Sequence, residues 1–498
     1  MATPFPPQHT HGEHLAALTG PPSQHAGDGF VRLFGNLRPA AFRTESLTQL
    51  AQSMFTDGPA TAAEVAAGES EIPAGYTYLG QFVDHDVRFD PIASLRRKDP
   101  SLARRDLRPP RLDLESLYGR GPDDQPYLYE PDGIHMVLGE VLGPQTGPAD
   151  ERTPRDVPRT PEGRAIIEDP RNDGTVILAQ LHALFLQFHN RVASELRGPF
   201  LKVQDAVRWH YQWIVLHDVL KKAVDEETFH NVLPDPRRPD EVHFQLYQFD
   251  RPAIPVEFAA AAYRFPHAMV RPSYRLNQNS QDDTGVTGPF PILGALPDGK
   301  PDLLGSLVGM RRFRRDWVID WRFFFDGAPR PPYSDPEEKP PVAQKAMQIN
   351  TSLSEPLRNL PKGFIPPDGY NSLAERDLLR GVQLGLPSGQ AIADALNIPR
   401  LEPDVLFASR PELAHDFQEH TPLWYYLLAE AEHVGEGRLL GPIGARIVME
   451  TVVALLCHDK QSLLYQPDFQ PMFQRDGKFE MGELITVAQT AARGSAGM

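Results

Sequence analysis

The chain has 498 residues, 41% hydrophobic and 23% charged, an ordinary globular composition that can fill a sizeable core. Its net charge of −16 argues against generic binding to nucleic acid or to an anionic membrane surface. Cys457 is the only cysteine, which excludes an intrachain disulfide framework and a cysteine-rich zinc site.

Residues 1–28 are rich in Pro, His, Gly and Gln with little apolar periodicity, and a flexible tail is expected there. His9, His11, His14 and His25 in it read as solvated side chains rather than a metal site. The start Met1-Ala2-Thr3-Pro4-Phe5-Pro6-Pro7 has neither the basic residues nor the apolar core of a secretory signal. No run of about 18 apolar residues occurs. A cytoplasmic protein without a spanning helix is therefore expected. Residues 29–498 read as one large, mostly helical domain, because alternating strand patterns are few and 51 prolines punctuate helices and irregular connections.

The first segment with chemical content is Tyr78-Leu79-Gly80-Gln81-Phe82-Val83-Asp84-His85-Asp86. On a helix Gln81 and His85 (i, i+4) share a face, with Asp84 beside them. An amide, two carboxylates and an imidazole so close together are costly to bury unless they meet a ligand, a metal or a cofactor. A satisfied core histidine on an amphipathic helix is the competing reading. Next come Leu112–Gly119, with Asp113 and Glu115, and Asp169-Pro170-Arg171-Asn172-Asp173. Arg171 on its own reads as half of a loop salt bridge.

The clearest helix is expected over 178–193, followed by another over 203–223. His182 and His189 (i, i+7) stand about 10 Å apart along the helix axis, too far to share one metal ion. Further helices are expected over 256–271, 371–386, 388–396, 421–434 and 441–457, with Ser388 as an N-cap. Residues 325–368 are Pro-rich, interrupted by a helix-like Val342–Ile349. No internal repeat is present.

The order of these motifs resembles that of the animal-type haem peroxidases (peroxidase–cyclooxygenase superfamily). Gly80-Gln81-x-x-Asp84-His85-Asp86 is similar to the family's distal haem motif. Arg171, followed by Leu181-His182 and His189-Asn190-Arg191, resembles its distal-arginine segment, and Ala262-Tyr263-Arg264-Phe265-Pro266-His267 its proximal-histidine segment. A weaker likeness to bacterial members continues through Thr421–Tyr426 and Leu440–Ala445.

The resemblance implies a mainly α, single helical haem peroxidase domain with little β structure. It makes His85 the distal acid–base group, Arg171 the cation that manages charge on bound oxygen, and Gln81 a hydrogen-bonding partner for water or a halide. His267 becomes the ligand to the haem iron, while His182 and His189 keep structural roles. Asp377 falls where the animal enzymes carry the asparagine that partners the proximal histidine, and Arg380, at i+3 on the same helix face, where they bind a haem carboxylate. An ionised acceptor in place of a neutral one is expected to lower the iron reduction potential. Asp84 matches one residue that forms an ester to haem, but Gly174 and Thr175 stand where further linking Glu and Met residues would be. The implied cofactor is haem b with at most one covalent link. A calcium ion is also implied, held by Asp86, Asp113 and Glu115 with the carbonyls of Pro109 and Arg111; Pro109 replaces a usual threonine ligand.

The implied activity is reduction of hydrogen peroxide and oxidation of a small reducing substrate, iodide or bromide included, through a ferryl species. Two alternatives belong to the same reading: a fatty-acid dioxygenase and a non-catalytic haem-binding relative. Dioxygenases of this superfamily need a tyrosine three residues before the proximal histidine, where this chain has Arg264; Tyr263 is one residue out of register. The physiological donor and the oligomeric state leave no sequence signal.

Overall fold

The structure, a computed structural model, describes residues 30–56, 58–88, 109–144, 149–150, 152–281, 287–331, 334, 337, 339–362, 364 and 369–489. The tail expected over 1–28 lies outside the described residues. Among them, nine α-helices have eight residues or more: α1 Thr44–Ser53, α2 Gly75–Val87, α3 Val176–Leu196, α4 Phe200–Ile214, α5 Leu373–Gln383, α6 Gly389–Leu396, α7 Leu423–His433, α8 Pro442–His458 and α9 Met481–Gln489. The mainly helical class expected from sequence is what the chain adopts. Among the described residues four short strands make two antiparallel pairs, β1 Glu69–Pro73 with β4 Lys345–Met347 and β2 Ser273–Tyr274 with β3 Phe290–Pro291.

Helix α3 is the central beam. Thr175 caps it by accepting from Leu178 N–H at 3.2 Å, and it ends on Arg197 at φ 47°. Almost all of its side chains are buried, as its nearly continuous apolar sequence demands. It packs against α2, α4 and α9. Phe82 of α2 stacks on Phe185 of α3 with ring centroids 4.7 Å apart, fixing one helix on the other. Helix α4 begins behind Pro199 and continues through a π-turn, Val215–Val219, and a 3-10 turn, Leu220–Lys222. The helical signal expected over 203–223 is thus three kinds of helix in series.

Asp218, in the π-turn, ties distant elements together. It accepts from the Tyr76 hydroxyl at 2.7 and 2.8 Å and from Met481 N–H at 3.0 Å, joining α2 and α9 to α4. Ser388 caps α6 as expected, accepting from Ala391 N–H at 3.2 Å. Buried apolar side chains from Phe34 to Ala488 form one contiguous core. Among the described residues no helix is long and apolar enough to cross a membrane.

Two expected helices take other forms. Residues 256–271 do not make one helix: Val256–Ala260 is α-helical, Ala261 breaks the path at φ −140°, and Ala262–His267 is a 3-10 turn with Pro266 inside it. Proline supplies no N–H and its ring collides with the preceding turn, so a continuous α-helix is closed to this stretch. The helix-like Val342–Ile349 instead contains β4, in register with β1 as Glu69↔Met347 and Pro73↔Lys345. Its backbone is claimed from far away in sequence: Gln344 N–H donates to Phe323 O at 2.9 Å, and Ala74 N–H to Gln344 O at 2.8 Å. Pairing with distant partners overrides the local helical pattern.

Candidate active site

Helix α2 lies against the 262–267 turn, and Gly80 makes that approach achievable. A Cβ at this position would sit 3.3 Å from Pro266 Cγ, tighter than ordinary contact. The next residue on each side of this contact, Gln81 and His267, therefore belongs to adjoining elements. Gln81 is exposed although its neighbours Gly80 and Phe82 are buried; Asp84 is half-buried and His85 is 6% exposed. Gln81, Asp84 and His85 follow one face of α2, as their spacing requires.

The His85 ring is held through Nδ1, which lies 2.8 Å from Asn172 Oδ1. Asn172 Nδ2 in turn lies 3.1 Å from His182 Nδ1 on α3. Burial, reinforced by the Arg171 guanidinium, pushes the His85 imidazole down to about 4, so it is neutral at neutral pH. Arg171 stands in the turn Pro170–Asp173, where fully buried Asp169 accepts from Arg171 N–H (3.0 Å), Nε (3.0 Å) and Nη2 (2.6 Å). Its Nη2 also donates to the carbonyls of His85 (2.9 Å) and Arg88 (2.8 Å). The positive charge thus sits at the C-terminal end of α2, where unpaired carbonyls and the helix dipole favour it. Asp84 is gripped by Arg88 one turn on, at 2.6 and 2.9 Å. Burial opposes ionisation of Asp84, but Arg88 outweighs it and the carboxyl stays below its usual range.

On the other side, His267 Nδ1 lies 2.6 Å from Asp377 Oδ2, and the second carboxylate oxygen receives the Arg264 guanidinium. Arg264 and His267 are three residues apart on a 3-10 turn, so their side chains eclipse and reach one acceptor. Asp377 is 1% exposed. Burial works against its charge, yet Arg264, His267 and Arg376 outweigh burial and hold the carboxyl at about 2. The His267 side chain is 32% exposed, with Nδ1 engaged and Nε2 on the far side of the ring. Trp424 of α7 stands edge-on to it, ring centroids 6.5 Å apart. Arg380 shares the Asp377 face of α5, is 5% exposed, and donates to Gln383 Oε1 at 2.9 Å. An anchored imidazole with a free-facing ring edge, beside a helix carrying a neutral imidazole and an exposed amide, is a set of residues that fits a haem, which His267 would hold.

Among the described residues the carboxylates expected to hold calcium do not converge on one point. Asp86 is fully buried and accepts from the N–H groups of Leu114 (3.0 Å) and Ser116 (3.3 Å) and from the Ser116 hydroxyl (3.2 Å). Asp113 accepts from Glu115 N–H at 3.1 Å, and Pro109 and Arg111 are exposed. Among the described residues no three acidic, histidine or cysteine side chains converge as a metal needs. Asp86 spends its lone pairs on the turn that starts the short helix Glu115–Tyr118, so its charge is already compensated by backbone donors.

His189 donates and accepts within the fold: Nδ1 is 2.9 Å from the Tyr118 hydroxyl and Nε2 is 2.8 Å from Ile134 O. Burial pushes both His182 and His189 down to about 4. Thr175 is the α3 cap, and Gly174 lies against Arg171 O and Phe364 with no side chain to offer a haem. Tyr263 is 4% exposed, stacked on Phe258 at 4.7 Å and edge-on to Phe265 at 5.9 Å. Sequence reasoning passed over Asn172, Asp169 and Arg264. The i, i+3 spacing of Arg264 and His267 carried a signal; the pairing of Asn172 with His85 carried none.

An animal haem peroxidase family model matches residues 110–291. The chain is 24% identical to thyroid peroxidase of Sus scrofa over 383 residues, 70% of this chain and 37% of that protein, so it spans little more than a third of that relative. Its fold is similar to that of peroxidase A from Dictyostelium discoideum, with a TM-score of 0.56 and 15% identity over 90% of this chain and 92% of that one. It is likewise similar to fatty acid alpha-dioxygenases from Oryza sativa (TM-score 0.54, 14% identity, 93% and 80% covered) and Arabidopsis thaliana (0.55, 13%, 93% and 76%). Over residues 110–291 the chain is thus similar in sequence to the animal haem peroxidases, and over most of its length its fold is similar to that of peroxidase A and of the fatty acid alpha-dioxygenases.

Proposed function

We propose that the protein is a haem peroxidase that reduces hydrogen peroxide and oxidises small one-electron donors, with iodide and bromide within its range. One observation carries this reading: a buried neutral imidazole, His85, and an anchored, part-exposed imidazole, His267, stand on elements that touch at Gly80 and Pro266. Haem, when bound, supplies the metal that binds peroxide and stores its oxidising equivalents. His267 would hold the iron through Nε2, with Asp377 fixing the ring through Nδ1. His85, neutral at working pH, takes a proton from peroxide at Nε2 and returns it to the departing oxygen. The Arg171 charge, placed at the His85 end of α2, stabilises the negative charge that develops on that oxygen. Gln81, exposed on the same helix face, hydrogen-bonds water or a halide.

The chemistry of Gly174 and Thr175 leaves Asp84 as the one carboxylate matched to an ester link, and Arg88 already holds it. Denaturing mass spectrometry of the haem-loaded protein should therefore release most of the haem. A doubly linked haem would contradict this assignment.

The test of function is the absorption spectrum of haem-loaded protein before and after peroxide, with rates for His85→Ala and Arg171→Ala. Each substitution should slow the peroxide reaction by at least about 10²-fold at unchanged haem content. Wild-type rates in both variants would overturn the mechanism. Oxygen uptake with a fatty acid, and no peroxide consumption, would put the dioxygenase reading in its place.

A further inference from the structure

Asn172 lies between two buried imidazoles, one at each end of its side-chain amide. Oδ1 is 2.8 Å from His85 Nδ1 and Nδ2 is 3.1 Å from His182 Nδ1. Asn172 is itself fully buried, His182 is 1% exposed and His85 6%. An amide has one accepting and one donating end, whereas a neutral imidazole nitrogen either donates or accepts according to its tautomer. The three groups are therefore a coupled set: an oxygen facing His85 requires N–H at Nδ1 of that ring, and an NH2 facing His182 requires a bare Nδ1 there. Turning the amide over would reverse both tautomers together.

We infer that Asn172 is a positioning residue that locks His85 in the Nδ1–H tautomer, with His182 setting the direction of the amide. This rests on the peroxidase reading, in which Nε2 of His85 must be bare to accept a proton. The neighbouring residue adds a second hold on the same histidine, since Arg171 Nη2 donates to the His85 carbonyl at 2.9 Å. Consecutive residues of one turn thus grip His85 at its backbone and at its ring, while α3 supplies the anchor through His182. The contrast with His267 explains why the partner is an amide. Both histidines are held through Nδ1, but His267 faces the carboxylate of Asp377, which strengthens it as a donor to a metal. His85 faces a neutral oxygen, which holds the Nδ1–H in place without stabilising the imidazolium as a carboxylate would, so the proton taken at Nε2 can be given back.

The experiment uses the full chain loaded with haem in its diamagnetic ferrous carbon monoxide form, with histidine ring nitrogens labelled by 15N. The His85 signals are assigned by their loss in His85→Gln. In the wild type His85 should show a protonated Nδ1 and a bare Nε2, and His182 a bare Nδ1. Asn172→Asp, which only accepts, should keep the His85 pattern and convert His182 to the Nδ1–H form. Asn172→Leu should give His85 mixed tautomers and slow the peroxide reaction by about tenfold or more at unchanged haem content, with Asn172→Asp recovering part of that rate. Nε2–H on His85 in the wild type, or an unaltered His85 pattern or rate in Asn172→Leu, would overturn the inference. If Asn172→Leu fails to fold, the His182 tautomer in Asn172→Asp decides. If the wild type takes up haem but does not react with peroxide, the peroxidase reading fails, and the nitrogen pattern still judges Asn172 separately.

Discussion

A single carboxylate sets the character of the proximal side. Asp377 divides its two oxygens between His267 and Arg264, so its charge is shared between an imidazole and a guanidinium rather than spent wholly on the imidazole. Asp377→Asn leaves a neutral acceptor and should raise the Fe(III)/Fe(II) potential of the haem-loaded protein. Arg264→Leu removes the competing cation and should move that potential the other way. Spectroelectrochemistry on the three proteins decides, and an unchanged potential in both variants would remove Asp377 from this role. His267, the candidate iron ligand, and His189, a structural histidine, separate as cleanly. His267→Ala should abolish stable haem uptake, measured by titration, whereas His189→Ala should retain it and lose stability, because His189 bridges the Tyr118 hydroxyl and the Ile134 carbonyl. The opposite pattern would reverse the assignment.

At the scale of elements, the site depends on how closely α2 lies on the 262–267 turn. The contact is set by Gly80, where any Cβ would press on Pro266 at 3.3 Å. A branched side chain there has to push the two elements apart or strain its rotamer, an overpacking cost of about 1–3 kcal/mol. Gly80→Val should therefore lower the unfolding midpoint and weaken haem binding together, with Gly80→Ala milder in both. A valine variant with wild-type haem affinity would show that this contact does not position the site. The break at Ala261 and the proline at 266 matter for the same reason, since they end the preceding helix and turn His267 toward α5.

For the whole molecule, buried histidines impose a pH dependence. Burial is the leading cause in each case and pushes His85, His182, His189, His210 and His217 down to about 4. Their pKa in the unfolded chain is about 6.5, so below that value the unfolded state takes up protons that the folded state refuses. The stability they contribute is complete above about pH 6.5 and is lost as pH falls toward about 4, by at most a few kcal/mol per group. Burial acts in the opposite sense on Glu430, raised to about 7, and on Asp173, raised to about 6, which gain stability as pH falls. Burial also raises Asp113, Asp156, Asp205 and Glu257 and lowers His458. The five imidazoles held at about 4 begin to lose their contribution at the unfolded value of about 6.5 and set a net loss between pH 7.5 and 5. The urea midpoint should fall between pH 7.5 and pH 5, and a midpoint that rises over this interval would refute the balance.

Much of this was legible in the chain itself, and the parts that were share a cause. Helix α3, the Ser388 cap of α6, the common face of Gln81, Asp84 and His85, and the shared face of Asp377 and Arg380 on α5 all depend on residues within a turn or two of one another. Side-chain period and capping chemistry are local, so sequence alone determines them. What tertiary structure decided was the partner of each polar group. Lys345–Met347 became a strand because β1 offered it an edge across some 275 residues of chain, a span on the scale where local propensity is routinely overridden. Asp86 accepts from the Leu114 and Ser116 N–H groups, 28 and 30 positions away. Asn172 reached His85 across 87 positions and Asp377 reached His267 across 110. A lone pair buried in a protein must be satisfied by whatever donor the packing brings to it, and that choice is made by the fold, not by the neighbours in the chain.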